Sequence, residues 1–104
     1  MTRLEKLQQF LISDPNDSFT HYAIGLEYRS IKDYTNAIAT LERLRTSDPN
    51  YVATYYQLAD CYHNFGNDEE ARKCYQDGMK VAKAIGDTHT LSELQAALDE
   101  LDDQ

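Results

Sequence analysis

Two stretches of the chain can be laid over one another: SDPNDSFTHYAIGLEY, from Ser13 to Tyr28, and SDPNYVATYYQLADCY, from Ser47 to Tyr62. They lie 34 residues apart, share the run Ser-Asp-Pro-Asn whole, and agree again at Thr20/Thr54, Tyr22/Tyr56 and Tyr28/Tyr62. The same offset pairs Leu7 with Leu41 and Ala37 with Ala71. A fixed period of this size is the signature of stacked supersecondary units. Within the first stretch His21, Ile24, Gly25 and Tyr28 stand at i, i+3, i+4 and i+7, and Tyr55, Leu58, Ala59 and Tyr62 repeat the pattern in the second. That spacing places each set on one face of a helix.

The second half of each copy is helical as well. Ala37, Leu41 and Leu44, then Ala71, Tyr75 and Gly78, fall at helical spacing after a short polar turn. Two antiparallel helices per copy account for both halves. Gly25 against Ala37, and Ala59 against Ala71, are expected where the paired helices approach most closely, with Glu42 on the exposed side. On these residues the chain resembles the tetratricopeptide repeat family, whose unit runs through a large residue, Leu-Gly and Tyr, then Ala, a large residue and Pro. The resemblance implies an all-α fold, a right-handed superhelix of antiparallel helix pairs, with repeats over residues 18–51 and 52–85. Three positions depart from the pattern: His21 and Tyr55 replace the usual Trp, Gly78 replaces Ala, and Lys83 stands in place of Pro. His21 is expected to fill the Trp slot in the packing face. The last helix of the second repeat should run one extra turn to Ile85, where Gly86 stops it.

Leu4, Leu7, Phe10 and Leu11 share the register of Ile38, Leu41, Leu44 and Arg45, so residues 1–13 read as the second helix of an incomplete earlier repeat. It would cover the open side of the first full one. At the other end Thr90-Leu-Ser-Glu93 has capping-box spacing, and Leu91, Leu94, Leu98 and Leu101 form an apolar stripe, so residues 88–104 read as a capping helix. Six helices follow, near 3–13, 18–30, 34–46, 51–64, 68–85 and 91–102, in one domain spanning residues 1–104.

Composition narrows the function. Ten Lys and Arg against 18 Asp and Glu leave a net charge of −8. Six of those acids and no base fall between Asp87 and Gln104, so the other residues hold ten bases against twelve acids, a net of −2. A phosphate-binding surface needs a basic face, which excludes nucleic acid and anionic membrane as expected partners. No apolar run approaches the roughly 18 residues of a membrane span. Cys61 and Cys74, with no CxxC pairing and no His at metal spacing, read as buried and reduced. The first ten residues lack a signal-peptide core, which makes a cytoplasmic location the default. No catalytic motif occurs, His21, His63 and His89 fall on different helices, and no enzyme activity, cofactor or metal is expected.

Binding of a partner protein is the stronger reading, since stacked helix pairs expose a concave surface built from the first helix of each pair. Beside the packing stripe runs a second stripe, Phe19, Tyr22, Leu26 and Arg29 on one helix and Ala53, Tyr56, Asp60 and His63 on the next. Similarity to tetratricopeptide proteins implies that Phe19, Tyr22, Leu26, Arg29, Tyr56, Gln57, Asp60 and His63 are the groove positions. Some family members hold a peptide's terminal carboxylate with Lys and Asn. The matching residues here, Tyr22, Leu26 and Gln57, do not form such a clamp, since the first two supply neither charge nor amide. An aromatic, mixed-polar groove suits an extended segment or short helix of a partner protein. The acidic end, placed beside the groove, favours a partner segment carrying Lys or Arg. The alternative is a homodimer, paired through the groove or through the Leu91 to Leu101 stripe.

Overall fold

A computed structural model describes all 104 residues as six helices and no strand. These are α1 (Arg3–Ser13), α2 (Ser18–Ser30), α3 (Tyr34–Ser47), α4 (Ala53–Asn64), α5 (Asp68–Ile85) and α6 (Thr88–Asp102). The repeated Ser-Asp-Pro-Asn run does the same work twice. Asp14 and Asp48 end α1 and α3 in matching backbone conformations, φ −139° and −143°, and their N–H groups donate to Phe10 O and Leu44 O. The following Pro cannot continue a helix. The chain then re-enters a helix after a single turn.

The first-helix aromatic slot serves the same junction. Tyr55 Oη donates to Pro49 O at 2.7 Å, and His21 Nε2 lies 2.8 Å from Pro15 O, so each side chain ties its helix to the Pro of the preceding turn. His21 thus takes over the hydrogen bond of Tyr55 while remaining only partly buried. Side-chain caps on Asp17, Asp33, Asn67 and Asp87 hold the N-termini of α2, α3, α5 and α6. Hydrogen bonds from Thr20 and Thr90 hold the Asp17 and Asp87 carboxyls below their usual range. Gly86, at φ 77°, ends α5 after the extra turn.

Some expected boundaries shift. Helix α4 begins at Ala53, because Pro49 and Asn50 form the turn after Asp48, closed by Tyr51 N–H donating to Asp48 O at 3.1 Å, and Val52 stands at the N-cap. Helix α6 begins at Thr88 and is capped by Asp87, not by Thr90, which instead donates its N–H to Asp87 at 3.1 Å. Glu42 is not free on the surface: it accepts from Tyr62 Oη at 2.6 Å and pairs with Arg45 at 2.6 Å, joining α3 to α4.

The core is unevenly distributed. Twelve buried residues from α3 to α6, among them Leu41, Leu58, Tyr75, Leu94, Leu98 and Leu101, form one cluster, while Leu7, Ala23 and Ile24 form a separate small one. Helix α1 therefore buries only Leu7, and Phe10 is 64% exposed, contrary to its place in the expected covering face. Phe10 is in register with the buried Leu44, but none of the six helices covers the side of α1 that carries it. The stripe on α6 does the opposite and is consumed in the core, with Leu94 fully buried and only Leu91 partly open.

Gly25 lies directly against Leu41 of α3. A Cβ there would stand 2.6 Å from Leu41 Cδ2 and 2.8 Å from its Cγ. Gly25→Leu should therefore cost about 1 to 3 kcal/mol, against a few tenths for Ala39→Leu on the exposed face of α3. Equal losses in urea melts of the two variants would show that α2 and α3 do not meet at Gly25.

Candidate functional site

Helices α2 and α4 run side by side and carry the expected groove residues. Arg29 Nε donates to Asp60 Oδ2 at 2.7 Å, which joins the two helices and neutralises both charges at mid-groove. The pair is partly exposed and adds little to stability. Toward α1, Phe19 is 65% exposed, Leu26 is half-buried, and the Tyr22 ring meets the edge of Tyr51 at 5.6 Å. Tyr22 is thus held by the turn residue of the next helix pair. Gln57 is half-buried, with Oε1 enclosed and without a protein donor, as is Thr54 Oγ1.

The other half of the stripe opens into a recess. Tyr56, Asp60 and His63 from α4, Tyr75 from α5, and Ala97, Glu100, Leu101 and Gln104 at the C-terminal end line a cavity of about 220 Å³. Tyr56 is 40% exposed and meets Tyr75 edge to face at 6.0 Å. Burial, with the Tyr56 ring beside it, pushes the Tyr75 phenol up to about 12, so it stays a neutral donor. His63 Nδ1 lies 2.6 Å from Asp68 Oδ1 at the start of α5, which fixes the imidazole at the rim. The structure therefore brings Tyr56, Asp60 and His63 together and leaves Phe19, Tyr22 and Leu26 outside that recess, with Arg29 joined to it through Asp60.

Five lining residues lie outside the stripe read from helical spacing: Tyr75, Ala97, Glu100, Leu101 and Gln104. A signal for three of them was present. Asp87-x-x-Thr90 copies Asp17-x-x-Thr20, down to the hydroxyl donated by each Thr to its capping Asp, and so puts α6 in register with α2. A first helix in that register belongs to the concave wall. The acidic end, by contrast, does not gather at the groove. Only Glu100 lines it; Asp102 accepts from Arg72 at 2.8 Å, and Asp99 faces the opposite side of α6.

Cys61 and Cys74 are free and fully buried, and desolvation lifts their thiols to about 11 and about 12, which leaves both protonated and inert. No helix is long and apolar enough to cross a membrane.

Comparison with known proteins agrees with this architecture. The profile of the tetratricopeptide repeat family matches residues 31–98, well over half of the chain. A TPR repeat-containing protein of Pseudomonas aeruginosa is 25% identical over 99 residues, covering 95% of this chain and 94% of that protein. The solution structure of a tetratricopeptide repeat domain protein from Salinibacter ruber is 38% identical, covers 85% of this chain and 89% of its own, and superposes with a TM-score of 0.80. The crystal structure of PcrH in complex with the chaperone binding region of PopD, 17% identical, covers 94% of this chain and 74% of its own, and shares the fold with a TM-score of 0.85. With its 34-residue period, its paired antiparallel helices and the matched profile, the chain belongs to the tetratricopeptide repeat family.

Proposed function

We propose that the protein is a protein–protein interaction adaptor whose concave surface, from Phe19 through Arg29 to the recess at Tyr56, holds a segment of a partner protein. The observation that carries this is Tyr56 itself, a large ring left 40% exposed at the mouth of a cavity with Tyr75 behind it and Glu100 beside it. An aromatic group so placed is the usual energetic anchor of an interface. Support also comes from PcrH, which shares the fold and was solved with a segment of PopD bound. Glu100 has no cation within ion-pair distance, whereas Asp60 is matched by Arg29. The recess therefore favours a partner segment carrying Lys or Arg.

Titration of an affinity-captured partner tests this reading. Tyr56→Ala should weaken binding by at least about 1 kcal/mol without loss of helical circular dichroism, since the ring is at the surface. Glu100→Gln alone should remove most of the salt dependence, because Asp99, Asp102 and Asp103 do not line the recess. Unchanged affinity in Tyr56→Ala would move the site away from the concave surface. A homodimer through the α6 leucine stripe is not supported, because Leu94, Leu98 and Leu101 are already spent in the core.

A further inference from the structure

A larger recess than the one at Tyr56 lies elsewhere. It is a groove of about 980 Å³ between the second half of α5 and the outer side of α6, with Met79, Leu91 and Ala96 as its apolar floor. Lys80 and Lys83 edge it on α5 and Asp99 on α6. Asp99 accepts from Gln95 Nε2 at 2.9 Å, but neither lysine has a carboxylate within ion-pair distance, in a chain with 18 acids. Arg72 and Lys73, earlier on the same helix, are both paired. One wall of the groove is thus positive and unmatched.

The repeat register gives the shape that fits. Asp87 aligns with Asp17, so Gln95 on α6 stands where Gly25 stands on α2, and Gly25 is the residue that touches α3. Gln95 lines the groove. The groove is therefore the seat on α6 that α3 takes on α2, and no helix of the chain lies in it. A second copy fits poorly: Arg3 is already held by Glu27 of α2 at 2.8 Å, and the open flank of α1, with Lys6 and Phe10 in register with Thr40 and Leu44, would set the unmatched Lys6 against Lys80 and Lys83 and bring no carboxylate to them in that register.

We propose that the α5–α6 groove is a second docking site, separate from the concave surface, which takes an amphipathic helix of a partner protein with carboxylates along the edge facing α5. The floor receives the apolar face of the helix, and Met79 adapts to its side chains. Panning the full chain against a display library of helical peptides with randomised surface positions tests this. Enriched peptides should carry apolar residues at i, i+3 or i+4, and i+7, with Asp or Glu along one flank. Lys80→Glu with Lys83→Glu should weaken a selected peptide at least about ten-fold, and changing that peptide's flanking acids to Lys should restore binding to the double variant. Both lysines are exposed, so the variant keeps its helical circular dichroism. Tyr56→Ala should leave affinity within about two-fold. Enriched peptides with no acidic preference, indifference to the lysine reversal, or loss of binding in Tyr56→Ala would each overturn the proposal, as would peptides that act by dissociating a dimer of the chain.

Discussion

Deleting residues 88–104 is expected to leave a chain that no longer folds at 25 °C, whereas deleting residues 1–13 leaves a folded one with a lower melting temperature. The asymmetry follows from where the leucines go. Helix α6 places Leu94, Leu98 and Leu101 in the twelve-residue core beside Tyr75, Cys74 and Ala82. At roughly 1.5 to 3 kcal/mol for each fully buried aliphatic side chain, their loss is of the order of 5 to 9 kcal/mol, an upper figure because the unfolded chain already buries some of that surface. That is comparable to the entire stability of a domain this size, roughly 5 to 15 kcal/mol. Helix α1 contributes only Leu7 at comparable depth, against Ala23 and Ile24. Its removal should cost about 2 to 4 kcal/mol and reduce solubility by uncovering that small cluster. Far-UV circular dichroism and thermal melts of the two truncations decide the point. Similar melting temperatures would mean that α6 is an end cap of the same kind as α1, and that the core ends with α5.

Gly78→Ala should lower the melting temperature although it puts a better helix former into the middle of α5. By intrinsic propensity alone the change would add up to about 1 kcal/mol. Packing opposes it. A Cβ on residue 78 would lie 2.6 Å from Tyr55 Cβ and 3.0 Å from Leu94 Cδ1, and Tyr55 Cβ is anchored to the backbone of α4. Tyr55 has no room to yield, since it is buried and its hydroxyl is bonded to Pro49 O. The helices must separate, at a net cost of about 1 to 3 kcal/mol or on the order of 5 to 20 °C in melting temperature. The sign of the shift is the test: a rise would show that α4, α5 and α6 do not converge at this glycine.

The departures from the repeat pattern had different legibility. Lys83 in place of Pro correctly indicated one more turn of α5, because helix continuation depends on the local backbone and on Gly86 beyond it. Gly78 in place of Ala carried no such local message. Its reason is a three-way contact with Tyr55, 23 residues earlier, and Leu94, 16 residues later. The groove residues divide in the same manner. Helical spacing places Tyr22, Tyr56, Asp60 and His63 on matching stripes of α2 and α4, but which of them faces a cavity depends on α6, whose cap is Asp87 and not the capping-box spacing at Thr90.

The period, the helical class, the turns at both Ser-Asp-Pro-Asn runs and the small residues at the helix contacts are legible in the amino-acid sequence alone. Each of these is written within a few residues and then written again 34 residues on, so one copy checks the other. The ends are only partial copies, α1 of α3 and α6 of α2, and a partial copy does not specify its neighbours. Packing in three dimensions leaves Phe10 outside while Leu94, Leu98 and Leu101 go inside, brings Glu100 alone of the terminal acids to the concave recess, and opens a groove of about 980 Å³ between α5 and α6. An apolar stripe states that a helix face will be buried if a neighbour is present; whether there is one depends on which helix the fold stacks beside it.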